Sequence, residues 1–223
     1  MASNAAKVSA RRSSRASGKG RGPEGSTSDA IYQAAEDLFF ERGYGGTSLR
    51  DIADAVGLQV GSLYNHIDSK ESMLFVIMQT SLRGVLEAVA DAVAEVTDPV
   101  ERLECFMKAT IRFYGEHARM SFIGSTELRS LPEEYREKIQ DLRDQYEGRL
   151  TELLTECAEA GVQIPNIRMA AYALVAISAH VASWYRVGGS MSLDEVADGL
   201  VATYAPLAEL RTESRAPGPR SRS

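Results

Sequence analysis

The chain has 223 residues, 44% of them hydrophobic and 25% charged, with a net charge of −6; it can bury a proper core, in one large domain or two modest ones, and it is not a uniformly basic nucleic-acid binder. Cys105 and Cys157 are isolated, which excludes a disulfide framework and predicts buried thiols in a reducing, cytoplasmic setting. The longest weakly polar run, Met169 to Ser183, is interrupted by His180 and falls short of the roughly 20 apolar residues of a membrane span, so no membrane association is expected.

The charge is unevenly placed. Up to Gly25, Lys7, Arg11, Arg12, Arg15, Lys19 and Arg21 face only Glu24, in a Ser/Gly-rich setting that predicts a disordered basic tail able to lie along a phosphate backbone. Arg11-Arg12 lacks the apolar stretch that an export signal requires. From Ser26 onward apolar residues recur at three-four spacing with no period-two strand, which predicts an all-α protein of about nine helices. The first carries Ile31, Ala34, Ala35, Leu38 and Phe39, with Thr27 or Ser28 as N-cap and Gly43 as the stop. A second follows Thr47 with Leu49, Ile52, Ala53 and Val56 inward, Gly57-Leu58-Gln59 turns the chain, and a third runs from Val60 to about His66. Asp68-Ser-Lys-Glu71 reads as a capping box that opens a long fourth helix.

Asp98-Pro99 opens the fifth helix, a short sixth covers His117 to Ser125, and Pro132 starts a long seventh closed by Gly161. The last two are predicted over Asn166 to Val187, and over Ser192, with its box to Glu195, to Ala205 before Pro206. The residues after Arg211 read as a second disordered tail.

Two short helices joined by a tight turn form a helix-turn-helix, whose second helix places its first side chains against base edges in the major groove. Thr47 and Ser48 stand at the start of the second helix, where Thr47 can cap it and free N–H groups can meet a phosphate. Gln59, Val60, Gly61 and Ser62 form the reading edge: Gln suits adenine, Val a thymine methyl, Ser either partner, and Gly permits close approach. Tyr64, Asn65, His66 and Lys70 supply groups suited to phosphate oxygens, which set register. Each has a plainer role as well: Tyr64 as a core-edge aromatic, His66 as a capping residue, Gln59 and Ser62 as turn residues.

The segments Phe39-Phe-Glu-Arg-Gly43, Thr47-Ser-Leu-Arg-Asp-Ile-Ala53, Val56-Gly-Leu58, Gly61-Ser-Leu-Tyr-Asn-His-Ile67 and Ser69-Lys-Glu71 together resemble the N-terminal domain of TetR-family transcriptional regulators. The family most often has Phe where Ile67 stands, which keeps the apolar anchor. The resemblance implies a homodimeric repressor of a double-stranded DNA operator, with DNA reading in residues 26–72 and effector binding and dimerisation in 73–210.

The effector half matches in architecture alone. A pocket should be mostly apolar with a few polar groups, and the side chains able to line one are Phe106, Met107, Phe113, Tyr114, Phe122, Tyr146, Trp184 and Tyr185, with His117, Arg119, Glu127, Arg129 and Arg186 as polar candidates. The aromatics fit plain core equally well. Trp184-Tyr-Arg-Val-Gly-Gly189 followed by Ser192-Leu-Asp-Glu195 resembles the last corner of actinobacterial TetR-type regulators of sterol and fatty-acid breakdown, which implies an acyl-CoA thioester as effector. A different hydrophobic ligand, or none, is the alternative. The last two helices offer Ala170, Ala171, Leu174, Ile177, Ser178, Val181, Val196, Leu200 and Tyr204 for a dimer interface or for internal core. No cofactor, metal or catalytic residue is predicted: His66, His117 and His180 lie far apart, and no HExxH, paired CxxC, Walker or nucleophile-elbow pattern occurs.

Overall fold

A computed structural model describes residues 26–209; both predicted tails lie outside the described residues. Within them the chain forms nine α-helices and one 3₁₀ turn, with no strand.

Four helix starts use a reciprocal capping box, and three of these boxes correct predicted caps. Helix α1 (Thr27–Arg42) starts at Ser26, whose hydroxyl accepts the Asp29 N–H (3.2 Å) while Asp29 accepts the Ser26 N–H (2.9 Å). Helix α2 (Leu49–Ala55) is capped by Ser48 with Asp51, displacing Thr47. Helix α4 (Lys70–Val93) is capped by Ser69 with Ser72, one position past the predicted Asp68–Glu71 pair. In each case the serine used has a hydrogen-bonding partner three residues on. Between α2 and α4 lies α3 (Val60–Leu63), a single turn.

Asp98 and Pro99 open α5 (Pro99–Glu116), followed by α6 (Ala118–Thr126), a 3₁₀ turn at Leu128–Ser130 that had no sequence signal, and α7 (Glu133–Glu159). Helix α8 (Ile167–Trp184) ends before the predicted Val187 because Tyr185 adopts extended backbone. Helix α9 (Leu193–Glu209) opens on the Ser192–Glu195 box as expected but continues through Pro206; proline removes one backbone donor there without ending the helix.

The apolar faces assemble into two main clusters. The first joins Ile31, Phe39, Ile52, Leu63 and Ile67 of α1 to α3 and their following turn to Met73 and Leu74 of α4, Ile123 of α6 and Ile139 of α7. This core crosses the boundary expected near residue 72. The second gathers Val85 and Val89 of α4, Phe106 and Met107 of α5, Leu150 and Leu154 of α7, and Ala171 and Leu174 of α8. Full burial of each large side chain contributes roughly 1.5–3 kcal/mol, more than a cap, so the clusters decide the helix arrangement and the caps tune its ends.

Helices α4 and α8 are long and apolar enough to cross a membrane, but both supply apolar faces to these clusters. The dimer face read from the last two helices needs correction, because Ala171, Leu174, Ser178, Val181 and Val196 are buried inside the protomer. The outward face of α8 instead carries Met169, Tyr172, Ala173, Ala176, His180 and Trp184. Cys157 is buried, with its thiol on the Pro99 carbonyl (3.2 Å), whereas Cys105 is only half-buried; neither forms a disulfide.

Candidate nucleic-acid interface

The reading edge is held from behind. Leu63 is fully buried and Ile67 nearly so, while Val60 packs partly against the same core. That anchoring turns Gln59, Gly61, Tyr64, Asn65 and His66 to solvent, with Tyr64 55% exposed, and leaves Val60 and Ser62 half-buried. Gln59 occupies the N-cap position of α3 without using its side chain as a cap, so its amide is available to a base edge. Gly61 faces open space where a Cβ would project, which leaves room for a groove wall.

The third helix is shorter than predicted. After Leu63 the chain passes through a turn in which Asn65 N–H donates to the Ser62 carbonyl (3.2 Å) and His66 N–H to the Leu63 carbonyl (2.9 Å). Ile67 must enter the core and Ser69 must cap α4, so no second helical turn fits.

Two residues assigned to phosphate contact are structural. Thr47 is 2% exposed, and its hydroxyl points to the carbonyls of Leu38 (3.1 Å) and Gly43 (3.0 Å), fastening the loop after α1 to that helix. Lys70 donates to the Tyr44 carbonyl (2.5 Å) with its ammonium 4.0 Å from the Tyr44 ring centroid, and burial holds its pKa below the usual lysine value. Thr47 was read as the cap of α2 beside a phosphate and Lys70 as a free cation; the Gly43 to Gly46 loop folds back and takes a hydrogen bond from each. Ser48 is exposed but committed to Asp51, whose pKa is lowered chiefly by the Ser48 hydroxyl. Tyr44, missed in the sequence, is the centre of this arrangement: burial first and the Glu71 carboxylate second push its pKa up to about 12. Its signal was an aromatic residue set among Gly43, Gly45 and Gly46.

A second unforeseen feature joins this unit to the rest. Arg119 of α6 pairs with Asp37 of α1 at 3.1 Å, and Phe122 meets Phe40 edge-on with ring centroids 5.3 Å apart. Beside them Glu36 has a raised pKa, from burial first and the Asp37 charge second. Phe75 of α4 stacks on Tyr135 of α7 at 4.5 Å.

The predicted effector residues converge in part: Phe106, Met107, Phe113, Tyr114 and Tyr146 meet at the second cluster, with His117 against Phe113, and the others lie apart. Phe106 and Tyr146 pack on each other in the second cluster, where Tyr146 shares a hydrogen bond with Thr110 (2.8 Å). Tyr114 lies against the same cluster, and burial pushes its pKa up to about 12. Phe113 fills the space above Gly84 and touches His117; Phe122 belongs to the α1–α6 joint. Trp184 is 41% exposed, Tyr185 packs against a small cluster of α5, α8 and α9, and Arg129 and Arg186 face solvent. A cavity of about 440 Å³ opens between α5, α7, α8 and α9, and of the predicted effector residues Met107 alone lines it. Large rings filled the core, and the void lies beside small residues such as Ala170 and Ala173. Among the described residues, no three His, Cys, Asp or Glu side chains gather in a group able to hold a metal ion.

Comparison with known proteins fits this geometry. Residues 31–77 match the family model described as bacterial regulatory proteins, tetR family, and residues 96–205 match that of a tetracyclin repressor-like C-terminal domain. The HTH-type transcriptional repressor KstR2 of Rhodococcus jostii is 33% identical over 174 residues, which cover 75% of this chain and 83% of the relative. Two solved structures superpose closely. The ketosteroid transcriptional regulator KstR2 of Mycobacterium tuberculosis does so at a TM-score of 0.77, 26% identity and coverage of 83% and 96% of the two chains. AibR in complex with isovaleryl coenzyme A and operator DNA gives 0.74, 28%, and 81% and 98%.

Proposed function

The chain belongs to the TetR family of bacterial regulatory proteins, and from that premise we propose that it is a repressor that grips a pseudo-palindromic operator as a homodimer and lets go when a small-molecule effector binds. The carrying observation is the solvent-facing edge from Gln59 to His66, mounted on the buried Leu63 and Ile67. In this reading residues 26–72 read DNA in the cytoplasm, and residues 73–210 take the effector and pair the subunits.

Gln59, Val60, Gly61 and Ser62 face bases, and Tyr64, Asn65 and His66 face the backbone. Ser48 touches phosphate only from outside its capping box. Pairing uses the outward stripe of α8, where Met169 (53% exposed) and Trp184 offer apolar surface. Two reading heads related by that axis sit roughly 34–36 Å apart, one turn of DNA. The effector is an acyl-CoA thioester. Supporting this are the isovaleryl coenzyme A and operator DNA bound by AibR, and the exposed guanidinium groups of Arg129 and Arg186, which have no carboxylate within salt-bridge distance among the described residues. Ligand binding must favour a dimer geometry that misplaces the heads.

Selection of duplexes from a random pool, followed by gel shifts, tests this reading. A two-fold related site is expected, and no enriched sequence would overturn the repressor. Gln59→Ala should relax preference at one base position at a cost of about 1–3 kcal/mol, while Tyr64→Phe should weaken all sequences alike. Uniform loss in both would refute the division of roles. Isovaleryl-CoA and longer thioesters, set against their free acids, decide the effector class.

A further inference from the structure

The 440 Å³ cavity lies in the lower part of the roughly 300–1,000 Å³ range of small-molecule sites. It belongs to the second cluster, toward the far end of the 24-residue α4 from the DNA-facing unit. Its walls are apolar side chains such as Leu103, Met107, Ile164 and Val201, and among the described residues no Lys, Arg or His takes part and Glu104 is the one carboxylate. Positive neighbours on the same helix are committed elsewhere, Arg102 to Glu156 and Lys108 to Asp198 at 2.8 Å. Burial raises the pKa of the lining Cys157 thiol and Tyr204 phenol, which keeps both neutral at neutral pH.

We propose that this cavity is a binding site for an uncharged, largely apolar molecule carrying one hydrogen-bond donor, which Glu104 accepts, and that it turns anions away. A carboxylate, sulfonate or phosphate placed here would lose its hydration without gaining a cation and would meet the Glu104 charge. An uncharged ring system loses little and buries much of its surface. The site is therefore separate from one that holds the phosphates of a CoA thioester. Ala173 lines the cavity and also lies on the outward stripe of α8, so an occupant touches the turn that the paired subunit would contact; that consequence rests on the dimeric-repressor reading, and occupancy does not.

The full chain is titrated with N-phenyl-1-naphthylamine, an uncharged fluorophore with a single N–H donor, and with 8-anilinonaphthalene-1-sulfonate, which adds a sulfonate to the same rings. Binding of one naphthylamine per chain is expected, and neither the sulfonate nor isovaleryl-CoA should displace it at equal concentration. Val162→Trp and Ala170→Phe, which narrow the cavity, should each weaken the naphthylamine about tenfold. Glu104→Gln should weaken it by a similar factor of about ten and raise the sulfonate's affinity relative to the parent. Melting curves identify any variant that fails to fold. Displacement by either anion, or affinity unchanged in Glu104→Gln and in both narrowing variants, overturns the proposal. Gel shifts on the same preparations separate the two readings: a chain that binds the naphthylamine but no DNA retains this site and loses the repressor.

Discussion

Ile31, Ile52, Leu63 and Met73 are fully buried, whereas Leu103, Met107 and Leu174 border a cavity that side chains of the same kinds leave open. The DNA-facing end is also cross-tied by polar groups: Thr47 to α1, Lys70 to the Tyr44 loop, Arg119 to Asp37. The far end is cross-tied as well, by Arg102 to Glu156, Lys108 to Asp198 and Thr110 to Tyr146, so packing rather than polar ties sets the two ends apart. A reading head must hold side chains at fixed positions against a rigid groove, and close packing supplies that. A ligand end must exchange contents, and small residues beside a void supply that. Because the first core runs from α1 through α6 to α7, the reading head moves with the base of the ligand domain rather than independently of it.

The largest expected effect breaks the comparison at its strongest point. Leu63→Ala should lose about 3 kcal/mol in denaturant unfolding and abolish DNA binding, while Leu103→Ala, beside an existing void, should lose less than about 2 kcal/mol. Equal losses would show that the two ends are packed alike. Thr47→Val, which leaves the Leu38 and Gly43 carbonyls without their donor, should cost about 1–2 kcal/mol. Lys70→Gln should destabilise the chain yet leave the salt dependence of duplex binding unchanged; a drop of about 0.9 in that slope would restore Lys70 to the phosphate contacts. Arg119→Ala removes a solvent-screened pair, so its stability loss should be at most about 1 kcal/mol, and a larger effect on ligand release of DNA would sharpen the role of the α1–α6 joint.

The smallest effect is a pH dependence. The folded-state pKa of Asp51 is lowered by the Ser48 cap, so its contribution to stability is present above the ordinary value of 3.8 and disappears as pH falls through the lowered value. Thermal melts from pH 7 down to pH 3 should show Ser48→Ala losing a little stability at the top of this range and converging on the parent at the bottom. A constant gap would mean that the carboxylate plays no part in the cap.

Much of the DNA-facing unit was legible in the chain. Its parts are local: Leu49, Ile52 and Ala53 repeat at helical spacing, Gly57 takes a φ of 68° at the turn, and Gln59 to His66 follow at the spacing a reading helix needs. The misreadings there concerned polar residues whose partners come from the folded-back loop, as with Thr47 and Lys70.

The sequence by itself determined the all-helical class, the order of the helices, the family and the position of the helix-turn-helix, because apolar period, capping pairs and turn glycines act within a few residues of one another. Tertiary structure alone decided which face of α8 points inward, which cations are spent on carbonyls and carboxylates, and where space remains. Those depend on the summed volumes and directions of side chains from four helices and a loop, and no single stretch of chain carries that sum.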